Sequence, residues 1–229
     1  QVEKDTVSLF GIPMVVNKDT INYWKTSANI NLNIQQIGLL NWTAGGEPSL
    51  GFGTVIEGDA NYEKDNAVWS NRGRLAYGVL RQGSDAERFE KTDDTLLLKS
   101  QYSQKFSEEI LMTSQLLFQT QVDNGFKTES VAGGGTRRVL ISDFMAPGYL
   151  QASHGLTYRK VGEYDITLSP FSGRFTFVLN DSLSTAGAFG VEPGKMVRSE
   201  AGISLTGTIN KQIVENVKLR VVGNLFSNY

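Results

Sequence analysis

The sequence predicts an all-β fold, an antiparallel up-and-down transmembrane β-barrel, and three observations carry that expectation. First, apolar and polar residues alternate with a period of two through about nine separate runs of the 229-residue chain. Second, most runs are far longer than an ordinary globular strand of about 5–6 residues. They suit a tilted strand that needs roughly 9–11 residues for the hydrocarbon alone. Third, the connections are alternately short and long.

Each run has its own evidence. Residues 1–22 lack sustained alternation and read as an N-terminal extension or a short plug-like segment, leaving 23–229 for the barrel. Strand one, Tyr23–Leu39, sets Trp24, Thr26, Ala28, Ile30, Leu32 and Ile34 against an Asn/Gln-rich row from Lys25 to Gln35. Strand two, Ser49–Lys64, sets Phe52, Ile56 and Tyr62 against Gly53, Glu57 and Asp59. Strand three, Ala67–Gln82, opposes Trp69, Leu75 and Tyr77 to Ser70, Arg72 and Arg74. Strand four, Thr95–Phe106, opposes Leu96, Leu98 and Tyr102 to Lys99, Gln101 and Lys105. Strand five, Glu109–Asp123, opposes Ile110, Leu116 and Phe118 to Thr113, Gln115 and Gln119. Strand six, around Tyr149–Arg159, is less regular. Strand seven, Asp165–Asn180, changes phase near Ser169-Pro170, where a proline that cannot donate to the ladder calls for a bulge or a bend. Strand eight, Met196–Lys211, sets Val197, Ile203 and Ile209 against Arg198, Glu200 and Ser204, and strand nine, Val217–Tyr229, sets Leu219, Val221 and Leu225 against Lys218, Arg220 and Asn224.

After strands two, four, six and eight the predicted connections are two to five residues long; after one, three, five and seven they run from nine to twenty-one. Short periplasmic turns and long extracellular loops distinguish outer-membrane barrels. If strand one starts on the periplasmic side, every long loop falls outside the cell. About nine strands is an odd count, whereas bacterial single-chain barrels have an even one. Either a weak strand hides in 1–22 or 131–144, or C-terminal strands are missing from this chain; truncation is the expectation.

Composition agrees and narrows the functional classes. Mean hydropathy is -0.23, and no stretch approaches the roughly 20 apolar residues of a helical span. Proline is limited to 5, as long hydrogen-bonded strands require, and aromatics reach 10%. A net charge of -2 gives no electrostatic reason to expect nucleic acid. With no cysteine and one histidine, His154, the chain offers no thiolate or metal-ligand spacing. Ser153 beside His154 is no nucleophile–base pair, because strand neighbours point to opposite faces. No metal, cofactor or catalytic residue is expected.

Two glycine-rich motifs, Asn41-Trp42-Thr43-Ala44-Gly45-Gly46-Glu47 and Gly187–Lys195, together with Ser169-Pro170, carry a family resemblance. From about Trp24 onward the chain resembles Bacteroidota outer-membrane proteins grouped as a domain of unknown function, whose first loop reads Asn-Trp-x-x-Gly-Gly-Glu. The resemblance implies about three further strands, an even-numbered barrel of about twelve, and a place in the bacterial outer membrane. It supplies no established activity.

Candidate binding residues lie in the loops: Trp42, Gly45, Gly46 and Glu47, then Phe189, Gly190 and Glu192. Glycines allow close backbone approach and the aromatics are anchors. The alternative is turn chemistry with Trp42 seated at the membrane interface. Gly133-Gly134-Gly135 followed by Arg137-Arg138 suggests a flexible loop with solvated charges, or contact with lipopolysaccharide phosphates. The expected lumen-facing charges are Glu57, Asp59, Arg72, Arg74, Lys99, Lys105, Arg198, Glu200, Lys218 and Arg220. Acid and base are expected to pair between strands two and three, and between eight and nine through Arg198, Glu200 and Arg220. The pairing favours a cross-linked core over a water-filled path.

The expected function is therefore a non-enzymatic outer-membrane barrel, a subunit or scaffold of a larger envelope assembly. Its expected partners are outer-membrane lipid, lipopolysaccharide and other outer-membrane or periplasmic proteins. The alternatives are a narrow passive pore and a soluble lipocalin-like binding barrel.

Overall fold

The computed structural model describes residues 4–9, 12–17, 22–39, 45–83, 88–131 and 133–229, the first two stretches as backbone. The strands are β1 (Lys4–Leu9), β2 (Ile12–Asn17), β3 (Trp24–Ile37), β4 (Ser49–Lys64), β5 (Ala67–Gln82), β6 (Glu90–Lys105) and β7 (Ile110–Thr120). They continue as β8 (Gly125–Ser130), β9 (Thr136–Ser142), β10 (Gly148–Lys160), β11 (Tyr164–Phe177), β12 (Val197–Val214) and β13 (Val217–Asn228). One short helix, α1 (Asp181–Thr185), lies between β11 and β12.

Nine strands form one antiparallel sheet in the order β13-β12-β11-β10-β7-β6-β5-β4-β3. Chain neighbours are sheet neighbours throughout, with β8 and β9 forming a separate hairpin inserted between β7 and β10. β1 and β2 form a second separate hairpin. Strands do occur in both places where a weak one was suspected, but neither joins the large sheet. Among the described residues β3 and β13 each pair on one side, so the sheet has two open edges.

The bounds of β4 and β5 coincide with the predicted ones, fixed by the two-residue turn Asp65-Asn66. β6 begins at Glu90, five residues before the predicted start. The phase change in β11 is present as a register shift between Ser169 and Ser172. Short turns and long connections segregate to opposite ends of the sheet, as expected.

The two faces differ in an unusual direction. The apolar face is open: Leu32 is 78% exposed, Ile34 72% and Leu98 48%. The opposite face is polar and, over β6 to β12, buried. Ser103, Thr113, Thr157, Ser169 and Ser204 are each 2% exposed or less. The hydroxyls of Ser103, Thr113, Thr157 and Ser204 bond across the strands in a ladder, while Ser169 accepts from Ser172 through its carbonyl. Ser103 lies 3.0 Å from Thr113, and Thr157 donates to Thr113 at 2.7 Å and lies 2.7 Å from Thr167. Ser172 and Ser204 extend the pattern at 2.7 Å. Small hydroxylated side chains pack closely on this face, and in the ladder each hydroxyl supplies its neighbour's partner. Thr157→Val keeps the shape but leaves Thr167 without its hydroxyl partner. It is expected to cost about 1–3 kcal/mol, read as a lower urea midpoint with an unchanged slope.

Candidate functional site

The polar face gathers most of the charged residues expected there, and register decides which of them meet. Asp59 and Arg72 are direct cross-strand partners, as are Glu57 and Arg74. Arg72 donates to Asp59 at 2.8 Å, and Arg74 lies 3.6 Å from Glu57. Lys105 reaches across β5 to Glu63 at 2.5 Å. Lys99 sits opposite Arg72. Arg198 donates to Glu200 at 2.6 Å on the same strand.

One expected pairing is corrected. Arg220 lies opposite Asn210, and Lys218 opposite Gln212. Ten residues of β12 separate Asn210 from Glu200, about 33 Å at about 3.3 Å per residue, so Arg220 cannot meet Glu200. The cross-strand partner of Glu200 is instead Arg174 on β11, a residue the sequence reading passed over.

At the long-loop end the connections are built, not loose. Asn180 caps α1, accepting from the backbone of Ser182 and Leu183, and donates its amide to Asp143 at 2.9 Å. Ala146, Val178, Leu183 and Val191 form a small buried cluster, with Leu140, Ala188 and Phe189 packed against it. The β8–β9 hairpin, the end of β11 and the glycine-rich segment after α1 thus share one core. Gly194 N–H donates to the Ser184 carbonyl, and Ser184 Oγ to the Lys195 carbonyl.

This changes the reading of three loop motifs. Gly133-Gly134-Gly135, all at positive φ, is the tip of an ordered hairpin. Its arginines have partners within the chain: Arg137 lies 3.5 Å from Glu129, and Arg138 stacks 3.9 Å above the Phe126 ring and 3.9 Å from Glu90. Gly45 and Gly46 are exposed, with φ of 86° and 113° that favour glycine, and Glu47 is exposed beside them. Trp42 lies outside the described residues. Phe189 adopts φ 57°, uncommon for a residue with a side chain. The carbonyl of Gly190 accepts from Arg198 at 3.3 Å, which ties this loop to the inner charges. Glu192 is exposed, its carbonyl accepting from Lys195 N–H.

A second network, absent from the sequence reading, anchors the connection after β7. Asp94 accepts from Lys91 at 2.6 Å and from the backbone of Val122 and Asp123 at 2.8 and 2.9 Å. Tyr77 donates its hydroxyl to Asp123 at 2.8 Å. That hydrogen bond, with the Asn124 N–H, holds the Asp123 carboxyl below its ordinary value. A lowered carboxyl pKa stabilises the fold above the unfolded value and loses its contribution as pH falls through the folded one. Titration of Asp123 by carboxyl NMR is expected to give a value under the usual aspartate range. Tyr77→Phe should move it upward.

His154 does not meet Ser153, as expected. It pairs instead with Ser114 on β7, its Nδ1 2.8 Å from the hydroxyl, on the apolar face.

No curated protein and no solved structure matches the chain. Residues 34–126 match the family model described as "Protein of unknown function (DUF3078)", which supports a place for the chain in a domain-of-unknown-function family.

Proposed function

We propose that this chain is a non-enzymatic β-barrel protein of the bacterial outer membrane, in a Bacteroidota cell envelope, and a subunit or scaffold of a larger assembly. The observation that carries the reading is the inverted polarity of the sheet. A soluble lipocalin-like barrel would turn its apolar face inward, whereas here that face is open and the polar face is buried over β6 to β12.

Aromatic residues band the outer face. Trp24, Tyr62, Trp69 and Tyr102 form one cross-strand row at the short-turn end, with Trp24 5.3 Å from Tyr62 and 5.6 Å from Trp69. Phe52 stands ten residues up β4 from Tyr62. That is about 33 Å along the strand. A tilt of about 35–45° reduces it to about 25 Å, the height of an outer-membrane apolar band. Unpaired edges inside hydrocarbon cost several kcal/mol per group, so in a membrane β3 and β13 would be covered by further strands or by a partner. The packed loop cap, built round Ala146, Val178, Leu183 and Val191, supports a role within an assembly.

The Ser114–His154 pair does not favour catalysis. The backbone N–H groups around it belong to the antiparallel ladder, which leaves no donors aimed at a developing oxyanion. A narrow pore is the second reading, favoured by a cavity of about 670 Å³ along Asn31, Asn33, Gln35, Glu57 and Arg74.

Refolding from urea into detergent is expected to give a species that migrates faster than the boiled chain on a denaturing gel. Folding in plain buffer without detergent would overturn the membrane reading. Gently solubilised membranes should yield co-purifying proteins, and a lone monomer in every mild detergent would remove the assembly role. Planar-bilayer recording separates the pore, which is rejected by the absence of current above background.

A further inference from the structure

Near the loop end of the inner wall, one cross-strand row reads Gln151, Arg174, Glu200 across β10, β11 and β12. Arg198 stands in the adjacent row, opposite Thr176. The charges in this group do not balance. Arg198 answers the only carboxylate, binding Glu200 at 2.6 Å. Arg174 has no carboxylate within 4.0 Å among the described residues, and its guanidinium stacks 4.2 Å from the centroid of Phe226. The group thus holds two guanidiniums and one carboxylate, which leaves an excess positive charge on this wall.

A second observation is independent of that count. Gln151 is only 6% exposed, and its Nε2 has no hydrogen-bond partner. Leaving a buried amide donor unmatched costs about 1–3 kcal/mol, so a native fold retains one mainly where something else supplies the acceptor. Gln151 and Arg174 line the same cavity, of about 390 Å³, with Leu117 and Phe189 as its apolar surfaces. That volume lies in the range of small-molecule sites, about 300–1,000 Å³. Phe189, held at φ 57° against the loop core, forms one wall. Strained backbone of this kind persists where the surroundings over-determine it, often at ligand clamps.

We infer that this cavity binds a small molecule bearing a carboxylate or phosphate group, with Arg174 and the Gln151 amide as its donors and Phe189 closing over its apolar part. Glu200 and Arg198 also line the cavity but pair with each other at 2.6 Å, so the Arg174 guanidinium and the Gln151 amide are the donors left, and they select an oxyanion over a cation. The inference goes beyond the membrane assignment and does not depend on it, because the site lies on the concave face in either case.

The test is isothermal titration of the folded full chain, in whichever medium circular dichroism shows it folded, with inorganic phosphate and separately with glucuronate. Saturable binding of at least one probe is expected, and the pair tells a phosphate ligand from a carboxylate one. Arg174→Gln should weaken the binding at least tenfold. Gln151→Leu removes the unmatched donor, so it should leave the free protein as stable or more stable while weakening binding at least fivefold. Absence of saturable heat for both probes would overturn the inference. Binding left unchanged by Gln151→Leu would do so too, even if Arg174→Gln failed to fold. A chain that folds only without detergent would sink the membrane reading while leaving this measurement intact.

Discussion

Asp94→Ala is expected to destabilise the folded chain by about 3–5 kcal/mol, the usual cost of removing one partner from a buried ion pair. The Asp94 side chain is 2% exposed and that of Lys91 16%. Without the carboxylate, the Val122 and Asp123 N–H groups lose their acceptor, and the Lys91 ammonium keeps only Gln121 Oε1 at 3.1 Å and the Asp123 carbonyl at 2.7 Å. Gln121 in turn accepts from Ser142 at 2.6 Å, so the disturbance spreads to the β8–β9 hairpin. Urea titration should show the loss, and limited proteolysis should cut between Asn124 and Ser142 sooner than in the parent. Pairing the change with Lys91→Met removes the stranded charge and should recover part of the stability. A loss under about 1 kcal/mol would mean that water already solvates the pair.

The legible parts of this fold are those where alternation and turn chemistry agree. β4 and β5 are joined by two residues, and Asp65 has the positive φ of 50° that such a turn uses. Apolar and polar rows on both sides then pin the ends. The start of β6 was missed because Glu90, Lys91, Thr92, Asp93 and Asp94 are polar on both faces, and alternation carries no signal there. Lys91 and Asp94 serve the loop anchor, so polarity on both faces there reflects contacts made at the long-loop end. The β8–β9 hairpin is short, with strands of six and seven residues on either side of a glycine run. α1 has five residues, too few for a helical period to register.

The site follows the same logic. Asp59 and Arg72 are equidistant from the Asp65-Asn66 turn, as are Glu57 and Arg74, so their pairing could be counted along the chain. The same count about the Glu215-Asn216 turn would have placed Arg220 near Asn210 and spared the expected contact with Glu200. Arg174 and Glu200 are a different case. A connection of 19 residues, 178–196, separates β11 from β12, so no short turn fixes their register. No short-range rule predicts that meeting. The unmatched Gln151 amide is likewise a tertiary fact, because burial of one glutamine depends on which strands flank it.

Ile56→Arg addresses the orientation of the whole sheet. Ile56 lies on the open apolar face, 41% exposed, opposite Ile30 and Leu75. It stands six residues from Tyr62 and four from Phe52 on β4, close to the middle of the proposed band. In a bilayer an arginine there costs about 2–4 kcal/mol, falling to about 0–1 kcal/mol near the interface. Val161, 89% exposed in the short turn after β10, supplies the interfacial control. Reversible urea unfolding from lipid vesicles should therefore separate Ile56→Arg from Val161→Arg by about 2 kcal/mol or more. In water the ordering disappears, since exchanges at exposed positions fall within about ±0.5 kcal/mol. Equal, small effects at both positions would mean that the apolar face meets water or a protein partner instead of lipid. A large cost at Ile56 alone would assign that face to the hydrocarbon.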